Sequence, residues 1–322
     1  MTTVLFADYD YPDIELEREL FRDAGVELVT AQCKTEDAVI AHGKGCRAIL
    51  LQYAPIGDRV LTALSDVGII SRIGAGYDTI DAGACQRRGV WLANSPDYGI
   101  GEVATHALAL ALALIRNIVA YHRDIGAGTW HFLSSGSLRR PANLTLAIVG
   151  LGRIGKRMAH VSRNVFGRII AYDPFLIDGD FPPYVERMQT LRDLASQADA
   201  VSVHTPLNDE TRGLIDCAFF SAAKRGLTLV NTARGAVVDI ADLLAALDSG
   251  IVAGAALDVL PLEPVPRDSP LLSHPRVILT PHAAFFSVES ERELRRKAAQ
   301  NIVSWFRRGR PDYPIVVGTR TP

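Results

Sequence analysis

The stretch "LTLAIVGLGRIGKRMAH", residues 144–160, constrains this chain more than any other. It reads as an apolar strand, a turn with glycines at Gly150, Gly152 and Gly155, and then a helix. Each glycine has its own task. Gly150 makes the tight turn, Gly152 lets the backbone approach a pyrophosphate, and Gly155 lets helix and strand pack closely. The first helical residues, Arg153 and Ile154, present free N–H groups and the positive end of the helix dipole to an anion. The motif alone is weak, but its context strengthens it. The next strand, "GRIIAYD", ends in Asp173, about twenty residues past the glycines, where a carboxylate would hold adenosine ribose hydroxyls. An Asp-Pro turn is the plain alternative at that position. An anion there repels a ribose phosphate, so the expected cofactor is NAD rather than NADP.

The rest of the chain supplies a matching scaffold. "TVLFAD", "VELVTA", "CRAILLQ", "VGIISRIG" and "GVWLAN" read as strands, separated by helical patterns such as "ELERELFRDAG". Alternation of this kind predicts α/β domains with doubly wound parallel sheets and right-handed crossovers. The 322 residues suggest two domains more readily than one. The turn-rich stretch "NSPDYGIGE" interrupts the series at residues 94–102, and a second series runs from "LTLAIVG" to "RVILTPH". Between them, "EVATHALALALALIRNIVAYHRDI" is apolar on too many faces for a surface helix. It is expected to be buried within its domain or against a second subunit. The closing helix, "VESERELRRKAAQNIVSWFRRG", keeps Leu294, Ala298, Ile302, Trp305 and Phe306 at helical spacing, and its basic run reads as a solvated face.

Several functions are disfavoured. A net charge of −2 gives no general attraction to nucleic acid or to an anionic membrane. The four cysteines, Cys33, Cys46, Cys85 and Cys217, are scattered and form no cluster with histidine, so neither a metal site nor a disulfide framework is expected. Together with an N-terminus that carries Asp8 and Asp10 where a signal core would be apolar, this predicts a soluble cytoplasmic protein.

Three strands of the second series end in polar residues. "LTLVNTARG" places Arg234 just past a strand, "AGAALDVLPLEPVP" places Asp258 at a strand end with Glu263 beyond it, and "TPHAAFF" places His282 after the last strand. Ligands of open α/β sheets bind outside the carboxyl ends of strands, so these loops can converge on one end of a dinucleotide. Each residue alone is more simply structural. Together behind a glycine loop, an arginine, a glutamate and a histidine make a site for reducing a 2-oxoacid.

"VGLGRIG" with Asp173, "VNTARG", "AALDVLPLEP", "TPHAA" and, earlier, "RIGAGYDTID" resemble the D-isomer-specific 2-hydroxyacid dehydrogenases over nearly the whole chain. "AYDPFLIDG" and "TPHAAFFS" are most similar to the branch containing the C-terminal-binding proteins, which are dehydrogenase-like corepressors. The chain departs from the pattern at Thr105, where the family carries an acidic residue, at Ala147, where glycine is usual, and at Phe285, where that branch has tryptophan. The resemblance implies a cofactor domain inserted into a discontinuous substrate domain: 1–99 and 288–322 for the substrate, 100–287 for NAD. It also implies a homodimer through the long apolar helix. For the site, it implies that His282 gives a proton to the substrate carbonyl, Glu263 holds the ring, and Arg234 binds the carboxylate and carbonyl. Ala75 and Gly76 would bind the remaining carboxylate oxygen, and Phe285 would border the substrate side chain. His204, Thr205, Pro206, Thr232 and Ala233 would border the cofactor, with Asp258 near its carboxamide. Two rivals stay open, an NAD-sensing corepressor-like protein with little turnover and phosphite oxidation on the same fold. Formate oxidation fits less well, because formate dehydrogenases carry glutamine where Glu263 stands.

Overall fold

The computed structural model describes residues 2–322. It divides into two units, one comprising the chain up to Tyr98 together with Ser287–Pro322, the other Gly99–Phe286. In the first unit, β1 (Thr3–Phe6), β2 (Glu27–Thr30), β3 (Ala48–Leu51), β4 (Ile69–Arg72) and β5 (Trp91–Ala93) lie parallel in the order 2-1-3-4-5. Every residue of β3 is buried, as expected of a central parallel strand covered on both faces. The order reverses between β1 and β3. Asp8, just past β1, bridges that seam: its carboxylate accepts from the N–H groups of Gln52 (2.9 Å), Tyr53 (2.6 Å) and Ala54 (3.0 Å).

The closing helix, Val288–Arg308, buries Leu294, Ala298, Ile302 and Trp305 against this sheet. Its basic run is not wholly solvated, contrary to the sequence reading. Arg295 is 6% exposed and forms a two-pronged pair with the fully buried Glu17 of helix Glu15–Asp23, at 2.8 and 2.7 Å. A further strand, Pro314–Val316, adds antiparallel to β5. Its proline hid it in the sequence. Asn301 of the closing helix places it, accepting from Asp312 and Tyr313 N–H and donating to Asn94 O. After β4, Gly74 adopts φ 141°, and a Cβ there would fall 1.2 Å from Arg72 Nη1. In the same turn the Ala75 carbonyl accepts from Asn94 Nδ2 at 2.6 Å, while Ala75 itself is exposed and Gly76 half-buried.

The second unit holds β6 (Thr145–Val149), β7 (Arg168–Tyr172), β8 (Glu186–Arg187), β9 (Ala200–Val203), β10 (Leu227–Asn231), β11 (Val252–Leu257) and β12 (Val277–Leu279). They form one parallel sheet in the order 12-11-10-9-6-7-8. The chain runs outward from β6 through β7 and β8, then returns to β9 on the other side. The reversal between β6 and β9 is where open sheets of this class take a ligand.

The apolar helix is two helices rather than one. Ile100–Ile115 buries Val103, Ala104, Ala107, Leu110 and Ala111 in the core with Leu146 and Met158. It stops at Arg116, Asn117 takes a left-handed conformation (φ 51°), and Ile118–Gly126 departs at 55° without burying a residue. No single helix among the described residues is long and apolar enough to cross a membrane; only this bent pair, taken together, reaches that length and composition.

Candidate active site

The glycine loop stands at the reversal. Gly150 adopts φ 89°, and a Cβ there would lie 2.8 Å from the His204 carbonyl, so the loops after β6 and β9 touch. A Cβ at Gly155 would lie 2.1 Å from the Gly150 carbonyl, which seats helix Arg153–Ser162 directly on the turn. Gly152 differs: a Cβ there meets nothing within 4 Å. The helix that follows has no side-chain cap, whereas Thr190, Asp216 and Asp239 cap other helices of the same unit. The result is an open cradle of N–H donors, with Gly152 and Arg153 exposed and Ile154 half-buried. That cradle fits the pyrophosphate of a dinucleotide.

Asp173 follows β7. Its Oδ2 accepts from Leu151 N–H at 2.8 Å and its Oδ1 from Phe175 N–H at 3.0 Å, which fixes the glycine turn. A carboxylate accepts about four hydrogen bonds, so capacity remains for ribose hydroxyls. His204 Nε2 lies 2.8 Å from Ser202 Oγ, and enclosure of the ring pushes its pKa down to about 4, leaving it neutral. The Thr205 and Thr232 hydroxyls are buried without a hydrogen-bond partner. Buried hydroxyls rarely stay unsatisfied, and both stand on the loops expected to border the cofactor. Pro206 is exposed beside Thr205, and the N–H of Ala233 donates to Asn231 Oδ1 at 3.0 Å.

The other end of the site lies on β10, β11 and β12, whose ends stand in register at Asn231, Leu257 and Leu279. Arg234 follows β10 on a loop organised by the fully buried Asn231, whose Nδ2 donates to Arg234 O at 2.9 Å. The next residue must be small: a Cβ at Gly235 would lie 1.9 Å from the Leu260 carbonyl carbon. This contact brings the Arg234 loop against the loop that carries Glu263. Glu263 Oε1 accepts from Leu260 N–H at 2.8 Å, and Oε2 lies 2.7 Å from His282 Nδ1. Burial works against the Glu263 charge. The hydrogen bonds from His282 and Leu260, with the positive charge of Arg234, outweigh it and hold the carboxyl below its usual range. An ionised Glu263 only accepts, so His282 carries a proton on Nδ1 and its Nε2 is left for chemistry.

His282 itself has φ 54°, uncommon for a residue with a side chain. Asp258 holds it there. The Asp258 carbonyl accepts from His282 N–H at 2.8 Å, and the carboxylate accepts from Ala283 N–H (2.9 Å), Ala284 N–H (3.0 Å) and Thr280 Oγ1 (2.5 Å). The Asp258 carboxylate, 1% exposed, is thus engaged by its own loop at the strand end expected to lie near the carboxamide. One participant escaped the sequence reading. His106, from helix Ile100–Ile115, brings Nε2 to 3.1 Å from Thr280 Oγ1 and 3.7 Å from Asp258 Oδ1. Nothing in the local sequence marks it, because it sits in an apolar helix far from "TPHAA". Phe285, half-buried, meets the His282 ring edge-on at 6.5 Å, and Phe286 beyond it is largely exposed.

Comparison with known proteins points to one family. Residues 108–284 match the family model described as D-isomer specific 2-hydroxyacid dehydrogenase, NAD binding domain. The chain is 34% identical over 279 residues to glyoxylate reductase of Korarchaeum cryptofilum, covering 85% of this chain and 84% of that one. It is 36% identical over 278 residues to D-3-phosphoglycerate dehydrogenase of Mycobacterium tuberculosis, covering 86% of this chain and 52% of the relative. The chain thus spans about half the length of the curated phosphoglycerate dehydrogenases it matches. Among solved structures, a glyoxylate reductase from Paecilomyes thermophila superposes with TM-score 0.87 at 28% identity, covering 98% of both chains. The holo form of Rhodotorula graminis D-mandelate dehydrogenase gives the same TM-score and identity, covering 100% of this chain and 99% of that one.

Proposed function

The chain belongs to the family of D-isomer-specific 2-hydroxyacid dehydrogenases, and on that premise we propose that it interconverts a 2-oxoacid and a D-2-hydroxyacid with NADH. The observation that carries this reading is the His282–Glu263 pair beside Arg234, on three adjacent strand ends of the sheet that also bears the glycine cradle. NADH, when bound, would supply the hydride for the 2-carbon. As negative charge develops on the carbonyl oxygen, His282 gives it a proton from Nε2. Glu263, held ionised, fixes the ring by accepting from its Nδ1–H. Arg234 keeps its charge throughout, and its planar fork grips carboxylate and carbonyl together. The glycine-rich turn at Ala75 and Gly76 offers N–H groups of the kind that bind a carboxylate. Phe285 borders the side chain of the substrate.

In this reading Gly150, Gly152, Arg153, Ile154 and Gly155 hold the pyrophosphate and Asp173 the ribose, which favours NADH over NADPH. His204, Thr205, Pro206, Thr232 and Ala233 line the rest of the cofactor. The first unit is the substrate domain and the second the NAD domain. A second copy of the chain covers the segment after Asn117, where Ile118 is 58%, Trp130 86% and Phe132 75% exposed. Large apolar side chains left this exposed are the mark of an interface. Four free cysteines suit a reducing cytoplasm. The test is a panel of 2-oxoacids, from glyoxylate to branched and aromatic side chains, with NADH followed by absorbance. Turnover of at least one of them is expected, with apolar side chains ahead of glyoxylate; a panel without turnover above the enzyme-free rate overturns the reading.

A further inference from the structure

His106 takes no part in the chemistry just described, yet its ring faces the network that shapes the histidine loop. The direction of each hydrogen bond follows from what the groups can do. The Asp258 carboxylate, 1% exposed, accepts from Thr280 Oγ1 at 2.5 Å. Thr280 has one hydroxyl proton, and that contact uses it. At the 3.1 Å contact with His106 the hydroxyl therefore accepts, and His106 carries its proton on Nε2. A chain of donors runs from His106 through Thr280 to Asp258. Asp258 in turn takes the amides of Ala283 and Ala284 on its carboxylate and that of His282 on its carbonyl.

We propose that His106 is a positioning residue for His282, acting through Thr280 and Asp258 to hold "TPHAA" in the conformation that aims the imidazole. His282 has φ 54°, and such a backbone persists only where its surroundings over-determine it. The Asp258 carboxylate supplies that constraint, and because it is shut away from water each of its donors has to come from the protein. Thr280 is one of them, and His106 fixes which way its hydroxyl points. Chains of hydrogen bonds polarise one another, so the His106 donor strengthens the Thr280–Asp258 bond that orients the carboxylate. His106 is 27% exposed in its side chain and anchored on a helix whose neighbouring turns are in the core, which gives the network a rigid base.

The kinetic part of this proposal rests on the dehydrogenase reading, so the experiment has two readouts. The first is amide hydrogen exchange at Ala283 and Ala284, followed by NMR in the full-length protein without substrate. His106→Ala and Thr280→Val are each expected to speed exchange at both amides by about tenfold or more. His106→Gln, which keeps an N–H donor at similar reach, is expected to stay within about threefold of the unmutated protein. The second readout is turnover of the best 2-oxoacid. His106→Ala should lower kcat by about tenfold with KM for NADH changed by less than about twofold, and His106→Gln should recover most of it. The double variant should be no worse than Thr280→Val alone, because the two residues act in series. Unchanged exchange in a folded His106→Ala protein, or a His106→Gln variant as impaired as His106→Ala, overturns the proposal. Should His106→Ala fail to fold, His106→Gln against Thr280→Val decides the matter by the same exchange readout. If no 2-oxoacid is turned over at all, the dehydrogenase reading fails while the exchange experiment still judges His106.

Discussion

The two units reverse their strand order at different seams, and the two seams are finished differently. In the first unit, between β1 and β3, Asp8 sits two residues beyond Phe6 at the end of β1 and takes three backbone N–H groups on its carboxylate. An internal anion has satisfied the donors there. In the second unit, between β6 and β9, glycines follow the strand instead, the next helix starts uncapped, and Gly152 faces open space. Its carboxylate, Asp173, stands one strand further out and, among the described residues, accepts from Leu151 and Phe175 N–H. The same architecture thus yields a seam closed by its own side chain and a seam left for an external anion. Fold class alone does not say which seam is which; the residues directly after the strand do.

The largest effect should come from the chemistry carried only by the second sheet. His282→Ala is expected to lower kcat for 2-oxoacid reduction by a hundredfold or more, about 2.7 kcal/mol in the barrier. NADH affinity, measured by fluorescence titration, should change by less than about twofold. Retained turnover would make His282 a structural residue and leave the second seam a binding site without an acid. Next in size is the closed seam. Asp8→Ala strands three amides without their acceptor and should cost about 2 kcal/mol of stability, read as a lower denaturant midpoint, with NADH affinity unmoved. A variant that loses cofactor affinity while keeping its stability would show that the first seam is not the inert one.

A smaller effect probes the open seam directly. Gly152→Val adds bulk where the fold has room, so its melting temperature should stay close to that of the unmutated protein, while NADH binding weakens by about tenfold or more, roughly 1.4 kcal/mol. Gly155→Val is the control, since its Cβ would press on the Gly150 carbonyl and disturb the fold itself. A Gly152→Val protein with undiminished NADH affinity would mean that the pyrophosphate does not pass over this glycine.

What the sequence showed and what it hid follow one physical line. The glycine turn, the parallel strands and the placing of Arg234, Glu263 and His282 at strand ends are local properties, set by a few neighbouring residues and by the period of apolar runs. The break at Asn117, the buried Arg295–Glu17 pair and the strand at Pro314–Val316 were not legible, because partners far along the chain decide them. Asn301, for example, positions Pro314–Val316 through bonds to Asp312 and Tyr313. Asp258 shows both sides of this. Its place at the end of β11 was readable, but its employment as clamp of the His282 loop appears only once β12 lies beside β11 and Ala283 and Ala284 come within reach. His106 was invisible for the same reason.

The smallest effect concerns the carboxylate of the open seam. Asp8 has its oxygens taken by three amides, whereas Asp173 has accepted two hydrogen bonds and keeps room for ribose hydroxyls. Its negative charge would repel a phosphate on that ribose. NADH should therefore be preferred to NADPH by roughly tenfold in kcat/KM, about 1.4 kcal/mol. Asp173→Asn keeps an oxygen acceptor and removes the charge, so it should narrow the preference to about threefold, roughly 0.6 kcal/mol, mainly by improving NADPH. Asp173→Ala should narrow it as well, but through weaker NADH, since the Leu151 amide and the ribose both lose their acceptor. The two variants separate charge from hydrogen bonding by which cofactor moves. Equal use of NADH and NADPH by the unmutated protein would show that Asp173 serves the glycine turn alone, and the two seams would then differ only in their glycines.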